Sequence, residues 1–157
     1  MKKIIISILV SFIFITSCYA DNIGTISIPC ISVNMPVYSA GDENIENIQA
    51  VIDDENSAVI EKWANAYQIL DHAFSEDPDG NQWNIQKIFP GAYAWLYTED
   101  ATYFLECYET AKTEYDGNEY INGRLITPAS SYDILIACCA EDAQHHFVAL
   151  FRRIEKY

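Results

Sequence analysis

Two pairs of adjacent reactive side chains lie close together in the sequence. Cys138 and Cys139 end one apolar run, and His145 and His146 precede the next. A thiol beside an imidazole is the arrangement of a nucleophile with its acid–base partner. A simpler interpretation fits this stretch as well, in which the cysteines are buried core thiols and the histidines form a solvated turn.

The elements that carry these residues are short and rich in β-forming side chains. Ile134–Ala140 and Phe147–Phe151 consist mostly of Ile, Leu, Val, Phe and Ala and are too short for a good helix, so both are interpreted as buried strands. The end of a strand can hold a reactive side chain rigidly while leaving it open to a ligand. Because side chains alternate along a strand, Cys139 is expected to face the other side from Cys138.

Similar short runs, separated by turn signals, continue along the chain. Their succession predicts a single, mostly β domain over Ile23–Ile154: a closed barrel of about seven to eight short strands with one or two short helices. The predicted helical pieces are Asp42–Asp54 and one or two turns within Trp83–Phe89. The predicted strands before residue 134 are two in Ile23–Tyr38, then Ser57–Ile60, Tyr67–His72, and the hairpin of Ala92–Thr98 with Ala101–Thr113.

The N-terminal segment Met1–Ala20 has the features of an export signal. Two lysines precede the apolar run Ile4–Thr16, which is shorter than the ~20 residues of a comfortable membrane span. Three outcomes remain open: cleavage after Ala20, lipidation at Cys18, or an uncleaved anchor. All three predict that the remainder, Asp21–Tyr157, works outside the cytoplasm and meets a membrane only through its N-terminus.

The charge balance limits the partners of this domain. The chain has 23 acidic and 9 basic residues, a formal net charge of −14. Such a surface repels nucleic acid and anionic lipid, whereas an amine-bearing partner is better tolerated. The same charge also serves simply to keep an exported domain soluble.

The cysteines and histidines do not have the spacing of a metal site. Cys30, Cys107, Cys138 and Cys139 contain no C-x-x-C pair, and the chain has only three histidines. No metal or other cofactor is therefore expected. A disulfide between distant cysteines remains open, whereas a bridge between adjacent cysteines is strained.

Four features in a fixed order resemble a known family. Gly24–Tyr38 reads G-x-I-x-I-P-x-I-x-V-x-x-P-V-Y, and the apolar strand Ile69–His72 ends in histidine. Pro90 and Gly91 then open the aromatic hairpin, and Ile134–Cys138 is an apolar strand that ends in cysteine. In this order and spacing the chain resembles the sortases, the cysteine transpeptidases of Gram-positive cell walls.

The resemblance implies roles for three residues. Cys138 matches the nucleophile, and His72 matches the general acid, so the two are expected side by side at adjacent strand ends. The arginine that serves the oxyanion in sortases is missing: its position falls on His146, or on Gln144 if the loop slips by two. Arg152 lies 6 residues beyond His146, about 20 Å along a strand, which is too far to substitute.

Two functions follow from the resemblance, beside a third interpretation in which the chain is an unrelated secreted β-rich binding module. The first is a transpeptidase at the outer face of the cell membrane or wall, which cleaves a sorting signal resembling L-P-x-T-G through a thioester on Cys138 and transfers it to an amine. The second is a catalytically impaired protein of the same fold that binds peptide or serves structurally. The retained Cys138 and His72 favour the enzyme, while the missing arginine and Asp71, in place of the usual glycine before the histidine, favour the second.

Overall fold

The computed structural model describes residues 21–39, 56–63, 66–72, 75–114, 120–121, 124–125, 134–139 and 145–157. These residues form ten β-strands and two 3-10 turns, at Pro29–Ile31 and Ile85–Lys87. The strands are β1 (Asp21–Ile28), β2 (Val33–Ser39), β3 (Ala58–Trp63), β4 (Ala66–Asp71), β5 (Tyr93–Thr98), β6 (Thr102–Glu114), β7 (Tyr120–Ile121), β8 (Arg124–Leu125), β9 (Ile134–Cys139) and β10 (His145–Lys156).

Eight of these strands close into a barrel in the order β1-β2-β3-β4-β9-β10-β6-β5. β7 and β8 form a separate two-stranded sheet. Neighbouring barrel strands are antiparallel except for β2 with β3 and β4 with β9, which are parallel. The predicted closed, mostly β barrel is confirmed.

The predicted helical pieces have different outcomes. The turn expected within Trp83–Phe89 is present as the 3-10 turn Ile85–Lys87. The predicted helix Asp42–Asp54 and the N-terminal segment Met1–Ala20 lie outside the described residues. Within the described ranges, no helix has the length and apolar character needed to cross a bilayer.

The prolines and the glycine of the motif Gly24–Tyr38 lie at positions where the backbone conformation suits them. Pro29 starts the 3-10 turn between β1 and β2. Pro36 lies in β2 just before the segment that pairs with β3, so its missing N–H costs no bond to that strand. At Gly24 β1 approaches β5 so closely that an added Cβ would lie 1.8 Å from the carbonyl oxygen of Tyr97. Only glycine allows the barrel to close at this point.

The side chains of the barrel separate into an inner and an outer set. The inner cluster draws on all eight barrel strands, so it fills the lumen. A smaller outer cluster uses the alternate positions of β9 and β10, namely Leu135, Ala137, Val148 and Leu150. On β9 the inner positions are Ile134, Ile136 and Cys138.

The loop between β4 and β5 is anchored inside the barrel by Trp83 and at its turn by Asp77. Trp83 is fully buried, and its Nε1 lies 3.5 Å from the carbonyl oxygen of Ala137. Asp77 Oδ1 accepts hydrogen bonds from the backbone N–H groups of Asp79 and Asn81, and Oδ2 accepts one from the N–H of Asn34 in β2. Burial raises the pKa of Asp77, but these hydrogen bonds outweigh burial and hold the pKa below its usual value. The carboxylate therefore fixes the loop to the barrel.

Candidate active site

Three strand ends meet at one end of the barrel. β4 and β9 are parallel neighbours, so their C-terminal ends lie together, and the antiparallel β10 begins there. Asp71 pairs with Cys138 across β4 and β9, and His72 directly follows Asp71. His146 pairs with Cys139 across β10 and β9. The fold thus brings the strand positions of Cys138, His72 and His146 to the same end, although Cys138 and His72 are 66 residues apart in sequence.

The exposure of these residues differs sharply. Cys138 is only 3% exposed and belongs to the inner cluster. His72 is exposed, and His146 is half-buried. Cys138 and His72 therefore end adjacent strands but differ in exposure, because the pleat of β9 turns residue 138 into the lumen.

Asp71 shares the inner face with Cys138 and is the most perturbed carboxyl group near the site. It is 3% exposed. Its Oδ1 accepts hydrogen bonds from the backbone N–H of His72 at 2.7 Å and from the hydroxyl of Ser75 at 2.5 Å. Among the described residues, no group bonds to the buried Oδ2. Burial raises the pKa of Asp71 to about 7, although the hydrogen bonds from Ser75 and His72 oppose this rise.

The same hydrogen bonds fix the backbone that carries His72. The carbonyl oxygen of His72 accepts a hydrogen bond from the N–H of Ser75 at 3.1 Å, while the N–H of His72 donates to Asp71. Both polar groups of the His72 backbone are therefore held. The exposed imidazole projects from a fixed position next to the end of β9.

The described arginines of β10 do not reach this end of the barrel. Arg152 donates to Glu106 Oε2 through Nε at 3.1 Å and Nη2 at 2.6 Å. The guanidinium of Arg153 lies 5.4 Å from the ring centre of Tyr103. The residue of β10 that pairs with the last residue of β9 is His146.

A cavity of about 280 Å³ lies at the opposite end of the barrel, where β4 and β9 begin. Its lining includes Tyr67, Tyr103, Ile134 and Arg153. No thiol or imidazole is among its described lining residues. This cavity is therefore not the candidate active site, because the candidate nucleophile and acid–base residues lie at the other end of the barrel.

Known proteins resemble this chain in structure but not detectably in sequence. No protein-family model and no curated protein matches the sequence. Sortase C1 of Streptococcus suis superposes with a TM-score of 0.64 at 16% identity, over 87% of this chain and 74% of that one. Sortase A of Listeria monocytogenes gives 0.59 at 16% identity, over 86% and 88%.

The chain has the sortase fold. A third solved structure, the sortase D5 transpeptidase of Clostridium perfringens, agrees, with a TM-score of 0.59 at 16% identity over 86% of this chain and 80% of that one. The sortase resemblance noted in the sequence is thereby confirmed at the level of the fold.

The sequence analysis did not predict that Asp71 is buried and that its pKa is raised. The available signal was its position, since a carboxyl group that directly follows Ile69 and Leu70 and precedes His72 continues the inward alternation of β4. Its burial depends on the parallel pairing of β4 with β9, which joins segments far apart in the chain.

Proposed function

We propose that the protein is a sortase-like cysteine transpeptidase that acts at the outer face of the cell membrane or in the cell wall. One observation carries the proposal: the fold places two cysteines and the backbone positions of His72 and His146 at three neighbouring strand ends. His72 lies 66 residues before Cys138, so the fold rather than the local sequence brings it to the cysteines. The N-terminal segment Met1–Ala20 would export the chain. It would then be cleaved off, or it would hold the chain at the membrane through a lipid on Cys18 or as an uncleaved anchor.

The reaction that fits these groups is acyl transfer through a thioester. A thiolate at the end of β9 attacks the carbonyl carbon of a peptide, and the C–N bond breaks as the leaving amine takes a proton from the His72 imidazolium. A second amine then attacks the thioester carbon, gives a proton back to His72 and releases the thiolate. The overall reaction exchanges one amide for another and needs no metal or redox cofactor.

The proposed substrates are a sorting-signal peptide resembling L-P-x-T-G and an amine acceptor. Among proteins of the same fold, the sortase C of Streptococcus pneumoniae is described by its pilin substrate specificity, and the Clostridium perfringens protein as a transpeptidase. The net charge of −14 tolerates an amine-bearing acceptor better than an anionic one.

In the transition state, His146 takes the place of the missing arginine. The carbonyl oxygen gains negative charge there, and removal of one donor from such a site costs about 100–1,000-fold in rate. A histidine offers one suitable N–H and is charged only at lower pH, whereas arginine offers a permanently charged planar fork of donors. Slow turnover is therefore expected.

A second function is favoured by one observation. Arg152 is engaged with Glu106 well away from the strand ends, so it does not supply the oxyanion donor. A sortase-fold protein that lacks an effective donor would bind its peptide without turnover, in a binding or structural role at the cell envelope.

Detection of the acyl-enzyme separates the two functions. The purified chain is incubated with a panel of sorting-signal peptides, and the intact mass is measured with and without an amine acceptor. A transpeptidase gains the mass of the acyl group and loses it when the amine is added. The double variant with Cys138→Ala and Cys139→Ala is the control that should gain none. Peptide binding without any covalent adduct would establish the non-catalytic role.

A further inference from the structure

The two adjacent cysteines of β9 fall on opposite faces of the strand pleat. Cys138 is 3% exposed, lies among the inner side chains, and has Asp71 as its neighbour on β4. A peptide carbonyl cannot approach a thiol that is enclosed in a packed lumen without opening the barrel. Position 138 is therefore suited to packing rather than to attack on a substrate.

The register defines a row of residues on the outer face that runs from β6 through β10 and β9 to the residue that follows β4. Residue 139 pairs with His146, and His146 pairs with Thr113 of β6. On the other side of β9, Asp71 pairs with Cys138, so the next residue, His72, comes level with residue 139. Alternation along β9 assigns residue 139 to the same face as Leu135 and Ala137, which belong to the outer cluster.

The two histidines flank this position from both sides and are open to solvent to different degrees. His72, at the end of β4, is exposed, and His146, at the start of β10, is half-buried. Neighbouring strands are about 4.8 Å apart, so residues level with 139 on β4 and β10 are within reach of a group at that position. Position 139 of the backbone thus lies level with a histidine position on each side.

We propose that Cys139, rather than Cys138, is the nucleophile of the acyl-transfer reaction. This inference rests on the proposed transpeptidase function and assigns its reacting atom. The Cys139 sulfur forms the thioester with the peptide carbonyl carbon, His72 gives its proton to the leaving amine, and His146 donates to the oxyanion. Cys138 is a core residue beneath the site.

The assignment predicts which thiol reacts in the native protein. The full chain is treated briefly with iodoacetamide at pH 6 and at pH 8, digested, and fragmented by mass spectrometry between residues 138 and 139. We expect the label on Cys139 at both pH values, because a flanking imidazolium favours the thiolate below the ordinary thiol range. In urea both cysteines should label alike, and only at the higher pH.

Two single variants then test the chemistry against the same peptides. Cys139→Ala should lose the acyl-enzyme, whereas Cys138→Ala should keep it, with thermal melting used to verify that each variant is folded. His72→Gln should slow labelling of Cys139 at pH 6, which a purely structural histidine would not do. Labelling of the unmodified chain needs no variant and decides the assignment even if Cys138→Ala does not fold.

The outcomes separate the nucleophile assignment from the proposed function. An acyl group located on Cys138, or faster native labelling of Cys138 than of Cys139, would overturn the assignment while leaving a transpeptidase. Fast labelling of Cys139 at pH 6 that depends on His72, but no acyl-enzyme with any peptide, would support the assignment and reject the transpeptidase function. Labelling of Cys139 no faster in the native state than in urea would overturn the assignment as well.

Discussion

Replacement of Asp71 with asparagine should change how the stability of the protein depends on pH. The carboxyl group is 3% exposed, and burial raises its pKa from 3.8 to about 7. In the folded state it therefore keeps its proton between about pH 4 and pH 7, whereas in the unfolded chain it has already lost it. Since the folded state binds the extra proton, stability from this group is full below pH 4 and is lost as pH rises through 7.

The size of the effect follows from the shift. Between the unfolded pKa of 3.8 and the folded pKa of about 7, the free energy of unfolding falls by about 1.4 kcal/mol for each pH unit. The total change across this pH range is about 4 kcal/mol. Asparagine has nearly the same shape, keeps one oxygen to accept from the His72 N–H and the Ser75 hydroxyl, and does not ionise. The free energy of unfolding of Asp71→Asn minus that of the unmodified protein should therefore rise by up to about 4 kcal/mol from pH 4 to pH 8.

Urea denaturation of both proteins at pH 4, 5, 6, 7 and 8 measures this difference. Any fixed cost of burying the asparagine amide cancels, because it is the same at every pH. Asp79→Asn is the matched control, since it removes a carboxylate from an exposed position in the loop that follows β4. A difference curve that stays flat from pH 4 to pH 8 would refute the reasoning and show that Asp71 ionises normally. A curve that falls with pH would mean that a cation stabilises the buried carboxylate.

Three further outcomes are expected. His146→Arg should increase the rate of acyl-enzyme formation by about 10-fold or more, because a permanent charge and a forked donor then face the oxyanion; a slower rate would show that another group serves it. Asp77→Ala should cost about 2–4 kcal/mol in urea denaturation, because the Asn34 N–H and two turn N–H groups lose their acceptor. The stability that the Asp77 carboxylate contributes should be lost as pH falls through its lowered pKa. A difference in stability between Asp77→Ala and the unmodified protein that stays constant in acid would contradict this. Gly24→Ala should prevent or strongly destabilise folding, seen as lost thermal cooperativity, since its Cβ would overlap the Tyr97 carbonyl; normal melting would mean that β1 and β5 can separate there.

Local patterns were sufficient to predict most of the barrel strands. Each of these patterns is contained in a short stretch of sequence, and each corresponds to a strand or a strand pair. They are the alternation in Ile23–Tyr38, the aromatic hairpin after Gly91 and the apolar run that begins at Ile134. The 3-10 turn in Trp83–Phe89 was also visible locally, as a polar stretch with a few apolar residues.

The faces of the site residues required information that local patterns do not contain. Cys138 and Cys139 are adjacent and chemically identical, so only the register of β9 against β4 and β10 distinguishes the buried position from the outer one. A shift of one residue in the alignment exchanges the two faces. The burial of Asp71 has the same origin, because it depends on parallel pairing with a strand more than 60 residues later.

The strand order also determines when the site can form during synthesis of the chain. β9 and β10 lie between β4 and β6 in the barrel, although both follow β6 in the chain. Before they arrive, the earlier strands can form only an open sheet, in which β4 and β6 each present an unpaired edge. Insertion of the last hairpin closes both edges in one step, through contacts of long sequence separation that form slowly. The same step brings the thiols to His72, so a nascent or truncated chain that lacks residues 134–156 would carry the histidine without a nucleophile.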